Sequence, residues 1–294
     1  MTAKYSPERR AIQKGKGSVP MDTQHCRSTG LKLGMDLSNQ NAIVTGGAKG
    51  IGRAISLALA SAGANIALIA RDTDAMKRVA DEIGRSGRHV LTAKADVSSD
   101  AEVKQAVQSA LAKFNDRIDI LVNVAGIAGP IETPVQDVDA AAFDEVMRVN
   151  VTGTFLPTKY VVPGMIRQKY GRIINIGSNS GTAAYPNRVG YAASKWAIRG
   201  LTRTVAQEVG PHNVTINCIN PGIVDGERMQ RLCRERAQTR GVDEETIRRE
   251  YSSAQAIARI TSETDVAEVA VFLASPAAKN ITGQDIDIDG GWRL

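Results

Sequence analysis

At 294 residues the chain is long enough for one large α/β domain with a sizeable core, and its 43% hydrophobic and 23% charged content is that of a globular rather than a disordered protein. Most of the net charge of +6 falls in residues 1–34, where Lys4, Arg9, Arg10, Lys14, Lys16, Arg27 and Lys32 face only Glu8 and Asp22. The rest is close to neutral and lacks the spread positive surface of a nucleic-acid binder.

Residues 1–36 show no hydrophobic period and are rich in Gly, Ser, Lys and Arg, so they are expected to be a disordered tail ahead of a single folded domain over 37–294. Neither a signal peptide nor a membrane span is expected. The N-terminus has no apolar segment, and the longest apolar stretch, Ala54–Ala70, is interrupted by Ser56, Ser61, Gly63 and Asn65. That stretch reads as a helix, a turn and a strand. Strand-like runs follow at Ala42–Thr45, Asn65–Ala70, His89–Ala95, Ile118–Val122, Arg172–Gly177, Val214–Ile219 and Asp285–Ile288. Between them lie helical patterns over Gly50–Ala62, Asp74–Arg85, Ser99–Phe114 and Tyr191–Val209. Apolar strands alternating with helices predict an α/β fold, a doubly wound parallel sheet with helices on both faces.

Cys26, Cys218 and Cys233 form no C-x-x-C pair, and Cys218 lies in an apolar run. No disulfide framework is expected, and a reducing cytoplasm is the expected setting. His25, His89 and His212 are too scattered for a metal site, so no metal is expected.

The first strand ends in Thr45-Gly46-Gly47-Ala48-Lys49-Gly50-Ile51-Gly52, and a helical pattern begins at once. Glycines there permit a tight turn and bring backbone N–H groups to a pyrophosphate at the positive end of a helix. The spacing is Gly-x-x-x-Gly-x-Gly, not the common dinucleotide fingerprint. The second strand ends in Ala70-Arg71 where an NAD site would carry an acid. Arg71 and Lys49 suit a 2′-phosphate, so NADP(H) is the expected cofactor, with NAD(H) as the alternative if Asp72 takes the acidic role.

Tyr191 and Lys195 stand at i,i+4 on one predicted helix, which puts both on one face. A phenol with an ordinary pKa near 10 is a weak base at neutral pH, and a neighbouring ammonium brings it towards working pH. With Asp96-Val97, Asn123-Val124-Ala125-Gly126, Asn150, Ser178, Pro221-Gly222, Thr282-Gly283 and Asp289-Gly290-Gly291 in the same order, the chain resembles a short-chain dehydrogenase/reductase across residues 37–294.

The resemblance implies a Rossmann-like fold and an enzyme that moves a hydride between the nicotinamide and a small carbonyl/alcohol substrate. Tyr191 would exchange the proton, and Ser178 would hydrogen-bond the reacting oxygen. Lys195 would hold the nicotinamide ribose and lower the tyrosine pKa, and Asn150 would position a water linking Lys195 to solvent. Gly46, Lys49, Gly50, Ile51 and Gly52 would bind the cofactor with Arg71. Asp96 and Val97 would lie at its adenine end. Asn123, Ala125 and Gly126 would line its side, and Pro221, Gly222 and Val224 its nicotinamide end. Where the family often has Thr after Pro-Gly, this chain has Ile223-Val224-Asp225. Homodimers or homotetramers through the Tyr191 helix are also implied, as is the absence of nucleic-acid or membrane partners.

Each residue also has a plainer reading: Ser178 as a strand-end cap, Asn150 as a helix kink, Asn123 as a strand link, Asp96 as a turn residue. Gly177-Ser178-Asn179-Ser180-Gly181 comes close to a hydrolase elbow, but Asn179 occupies the nucleophile's place. Residues 226–257 form a highly charged, helix-like insert expected to cover the substrate, with its arginines and acids balanced and solvated. Candidate substrates are 3-oxoacyl thioesters, sugars or polyols, and cyclic ketones. An epimerase, a dehydratase and a non-catalytic redox sensor are the readings outside the class.

Overall fold

The computed structural model describes residues 34–292; the tail expected over residues 1–36 lies almost wholly outside them. The described chain runs β1 (Asn41–Thr45), α1 (Gly50–Ser61), β2 (Asn65–Ala70), α2 (Thr73–Gly84), β3 (Val90–Lys94), α3 (Asp100–Lys113) and β4 (Ile120–Asn123). It continues with α4 (Ala140–Met147), α5 (Gly153–Gln168), β5 (Gly171–Ile176), α6 (Val189–Val209) and β6 (Val214–Pro221). The last elements are α7 (Glu227–Arg240), α8 (Glu244–Ser253), α9 (Glu263–Ala274) and β7 (Asp285–Ile288).

All pairings in the seven-stranded sheet are parallel, in the order β3-β2-β1-β4-β5-β6-β7. The order reverses between β1 and β4, which opens a crevice at the carboxyl ends of the strands. Successive side chains point to opposite faces of a strand, and here both faces are covered. Ala42 and Val44 enter one core with α1, α2 and α9, while Ile43 enters the other with α3, α5 and α6. Ile66 and Leu68 divide from Ala67 and Ile69 in the same way. That two-sided burial is why the strands read as unbroken apolar runs rather than alternating ones.

Helix starts follow local chemistry. Asp72 caps α2 by accepting from Ala75 N, Ser99 caps α3, and Ser262 forms a reciprocal capping box with Asp265 ahead of α9. Residues 140–168, outside the helical patterns marked in the sequence, form α4 and α5, and α5 carries Pro157 and Pro163 inside it. A π turn over Arg148–Thr152 joins α4 to α5. The charged insert folds as α7 and α8 around a small core of its own, with Met229, Cys233, Ala237 and Ile247 buried.

Candidate active site

The glycine turn between β1 and α1 is built for close approach. Gly46 has φ +66, and a Cβ there would lie 2.9 Å from the Ala125 backbone. A Cβ on Gly52 would sit 2.1 Å from the Gly46 carbonyl oxygen. Thr45 Oγ1 accepts from Val124 N at 3.1 Å, which ties the ends of β1 and β4 together. Unlike α2, α3 and α9, α1 has no side-chain cap, so the first-turn N–H groups are left for a ligand. Gly50, Ile51 and Gly52 line the cleft there. A turn that excludes Cβ atoms below uncapped N–H groups fits a dinucleotide pyrophosphate.

Asp72 follows this end of the cleft, and both of its oxygens are engaged. One accepts from Ala75 N at 2.9 Å and the other pairs with Lys49 Nζ at 2.7 Å. The Lys49 hydrogen bond, followed by that from Ala75, holds the Asp72 carboxyl below the usual carboxylate range. Arg71 is exposed, and its charge adds to the Ser98 hydrogen bonds that hold the Asp96 carboxyl below the usual carboxylate range. The basic side chains that line the cleft near the turn are Lys49, Arg53 and Arg78. Asp96 accepts from Ser98 N and Ser98 Oγ at 2.9 and 2.6 Å. Asn123 donates to Asn175 Oδ1 and Thr158 Oγ1. Arg71, Asp96, Val97 and Asn123 are not among the residues that line the cleft.

At the other end, α6 carries Tyr191 and Lys195 one turn apart. Lys195 is buried at 4% exposure, and its ammonium donates to Ile176 O at 2.8 Å and lies 5.6 Å from the centre of the Tyr191 ring. Burial raises the pKa of the phenol. The charges of Lys195, Arg228 and Arg188 and a hydrogen bond from Ser178 outweigh it, leaving Tyr191 at about 8. Burial likewise pushes the Lys195 ammonium down. Ser178 Oγ also accepts from Ser180 N at 3.1 Å and contacts Asn179 Oδ1. None of these partners is a histidine, so the serine has no base of the kind a hydrolase needs.

Asn150 is fully buried in the π turn. Its Oδ1 accepts from Ile127 N at 2.8 Å, and its Nδ2 donates to Ile127 O and to Ser194 Oγ. It therefore clasps the segment after β4 to the helix that carries Tyr191, without touching Tyr191 or Lys195 directly. A π turn displaces side chains from helical register and is frequent at functional sites.

The insert reaches over this end. Arg228 donates to Gly126 O at 2.9 Å, and Arg236 pairs with Glu132 at 2.6 Å. Arg236 also stacks near the rings of Tyr185 and Tyr251. Most of its other charges pair on its own surface, as Arg240 with Glu250 and Arg248 with Asp225. One continuous cleft of about 830 Å³ runs from Gly46 and Gly52 past Ser178, Tyr191 and Lys195 to Tyr251, Gln255 and Trp292.

The cleft brings together most of the residues singled out in the sequence: Gly46 and Lys49 to Gly52, Ala125 and Gly126, Ser178, Tyr191, Lys195, Pro221, Gly222 and Val224. Val224 and Asp225 are tied by backbone contacts to Thr261. Sequence reasoning missed Arg188, Gln255 and Trp292. Only Arg188 left a signal, a lone cation three residues before Tyr191 and so on the same face of the helix start. Among the described residues, no group of three or more His, Cys, Asp or Glu side chains is arranged to hold a metal ion. No helix there is long and apolar enough to cross a membrane.

The short chain dehydrogenase family model matches residues 40–237. The chain is 36% identical over 256 residues to a D-beta-hydroxybutyrate dehydrogenase of Rhizobium meliloti, covering 86% of this chain and 98% of that protein. It is 33% identical over 254 residues to a 3-oxoacyl-(acyl-carrier-protein) reductase of Staphylococcus epidermidis, covering 86% and 98%. Among solved structures, an NAD+-bound xylitol dehydrogenase superposes with a TM-score of 0.82 at 31% identity, covering 87% of this chain and 99% of that one.

Proposed function

The chain belongs to the short-chain dehydrogenase family of oxidoreductases that act on CH–OH groups, and we propose that it interconverts a carbonyl and a secondary alcohol with NADP(H), using Tyr191 as the acid/base. The observation that carries this is the placement of Tyr191, Lys195 and Ser178 together in a cleft continuous with the glycine turn, where the neighbouring cations and Ser178 offset burial and bring the phenol to about 8. A group that titrates near working pH transfers protons in either direction. In reduction, Tyr191 donates its proton to the substrate oxygen; in oxidation, the phenolate takes the hydroxyl proton. Ser178 hydrogen-bonds the same oxygen and steadies its developing charge. Lys195 stabilises the phenolate, and Asn150 holds α6 in place behind it. The dinucleotide, when bound, supplies or accepts the hydride.

The glycine turn and the uncapped start of α1 would hold the pyrophosphate, and Lys195 the nicotinamide ribose. The preference for NADP(H) rests on Asp72. Its carboxylate already accepts from Lys49 and from Ala75 N, and the cations Lys49 and Arg71 on either side of it suit a 2′-phosphate better than a 2′-hydroxyl. Helices α7 and α8 would cover the substrate. Assembly into a homodimer or homotetramer through α5 and α6 is part of the proposal, supported by Phe155 and Trp196 at 47% and 49% exposure, and so is a cytoplasmic setting.

The test is a screen of carbonyls with NADPH and alcohols with NADP+, repeated with NADH and NAD+, on the wild type and Arg71→Ala. Turnover with a preference for NADP(H) that falls roughly tenfold in the variant is expected, the scale of a lost charge-assisted contact. No turnover with any cofactor sinks the oxidoreductase reading. An NAD preference untouched by Arg71→Ala sinks the cofactor assignment alone.

A further inference from the structure

We infer that Arg188 anchors a carboxylate of the substrate, so that the reacting carbonyl or alcohol belongs to an oxo or hydroxy acid. The inference rests on the oxidoreductase reading and narrows it. Arg188 precedes α6, is only 6% exposed, and lines the cleft. Burying a guanidinium is costly unless it is paired, and buried charges in folded proteins generally find a carboxylate. Arg188 has none among the described residues. Its Nη2 reaches Ala128 O at a long 3.4 Å, its Nε has no hydrogen-bond partner, and its other neighbours are the faces of the Tyr191 and Tyr185 rings, at 4.7 and 5.8 Å.

The rest of the cleft does not neutralise it. The acids in the lining are Asp225, Glu227 and Glu263. Asp225 is bound by Arg248, and Arg188 is not among the charges that act on Glu263. Lys195 and Arg228 add two more cations around Tyr191. A neutral ligand in this space would strip water from Arg188 without replacing it, whereas an anion supplies the missing partner and is drawn in by the field of all three cations. Arg172, buried elsewhere, also leaves its Nε unpartnered and meets no carboxylate among the described residues, but its Nη1 donates to the Gly171 carbonyl at 2.8 Å and to Asn213 O, and it is not in the lining of this cleft.

The guanidinium carbon lies 4.7 Å from the centre of the Tyr191 ring, so a carboxylate held by Arg188 and the oxygen that exchanges its proton with Tyr191 belong to the same small molecule. Met229, Leu232 and Trp292 offer apolar wall to the remainder. A thioester, being neutral where Arg188 demands charge, fits less well.

Two measurements test this on the full chain. The first compares kcat/KM for acetoacetate and 3-hydroxybutyrate with their methyl esters, using wild type, Arg188→Gln and Arg188→Lys. The wild type should favour the acids by at least about 30-fold. The ratio should fall towards one in Arg188→Gln and be partly restored in Arg188→Lys. The second titrates unreactive butanoate and methyl butanoate into the protein with NADP+ by calorimetry, which needs no turnover. Butanoate alone should bind, more than about tenfold weaker in Arg188→Gln. Esters turned over as well as acids by the wild type overturn the anchor, as does an equal loss of both classes in Arg188→Gln. Either result leaves the oxidoreductase reading standing. Arg188-dependent butanoate binding with no turnover of any carbonyl supports the anchor and overturns the reaction. Should Arg188→Gln not fold, the wild-type ratio and Arg188→Lys decide.

Discussion

At the glycine-turn end of the cleft, Lys49 and Arg53 are solvated and each holds an acid, Asp72 at 2.7 Å and Glu82 at 2.6 Å. At the Tyr191 end, Lys195 and Arg188 are buried and neither meets a carboxylate among the described residues. The difference is one of labour. Where a pyrophosphate would be held, backbone N–H groups and the absence of Cβ atoms would do the binding, and the side-chain charges are compensated beforehand. Where a proton is to be moved, uncompensated charge in a low-dielectric pocket shifts the pKa of a neighbour far more than it could in water. Exposed ion pairs should therefore be replaceable wherever they lie, and the buried cations at the second end should not.

The sharpest way to break that contrast is Tyr191→Phe, which keeps the ring and removes the titrating oxygen. General acid–base groups contribute about 10²–10⁴-fold, and kcat should fall by about 10³-fold or more while NADPH binding, read by fluorescence titration, is retained. Substantial turnover in this variant would remove the phenol from the mechanism. Lys195→Met comes next. Deleting the ammonium leaves burial, the largest influence on Tyr191 and one that raises its pKa, opposed only by Arg228, Arg188 and Ser178. The sign follows. In wild type, kcat/KM for alcohol oxidation should rise with pH and level off above about 8, because the phenolate is the active form. Carbonyl reduction should fall above the same point, because it needs the phenol. In Lys195→Met both midpoints should move up, and oxidation at neutral pH should drop about 100-fold. A midpoint that stays at the wild-type value contradicts the pairing.

Much of this was legible because it is local. The apolar strand runs, the glycine turn and the Tyr191/Lys195 spacing depend on residues within one or two turns of each other, and burial on both faces of the sheet makes the strands conspicuous. What escaped depends on contacts between distant segments. Nothing near Arg228 in sequence predicts that it reaches Gly126 O, 102 residues earlier, or that Arg236 meets Glu132 across 104. Arg188 looks like any surface cation until Tyr185 and Tyr191 close over it. Asn150 was singled out from the family pattern, but the π turn that aims it has no signature in composition or period. Arg71 was legible as a cation at the end of β2, whereas Arg53 and Arg78, on the facing helices α1 and α2, line the cleft instead.

Between the two extremes stands the turn itself. Gly52→Ala puts a Cβ 2.1 Å from the Gly46 carbonyl oxygen, and the atom it meets is backbone, so the turn must open. Overpacking of this kind costs about 1–3 kcal/mol, which corresponds to a rise of roughly 5- to 100-fold in the dissociation constant for NADPH if the strain falls on the binding conformation. Calorimetric titration reads the affinity and a thermal melt reads the fold. Loss of affinity with an unchanged melting temperature assigns the cost to the cradle, and unchanged affinity contradicts the reading of the turn.

The smallest effect expected is at an exposed pair of the insert, and it tests the other half of the contrast. Arg240 and Glu250 join α7 to α8 with two short contacts, 2.5 and 2.8 Å, and they look like a clamp. Both side chains are nearly half exposed, at 44% and 48%. Coulomb attraction there is screened by water and salt and offset by the entropy of fixing two long side chains. What holds the two helices together is the buried cluster of Met229, Cys233, Ala237 and Ile247 beneath them. Glu250→Gln should therefore lower the melting temperature by less than about 2 °C and leave the kinetics at the wild-type level. Ile247→Ala, which empties part of that cluster, should cost several times more. A large loss from Glu250→Gln would mean that surface charge, not apolar burial, keeps the insert over the substrate end, and the division between the two ends of the cleft would have to be redrawn.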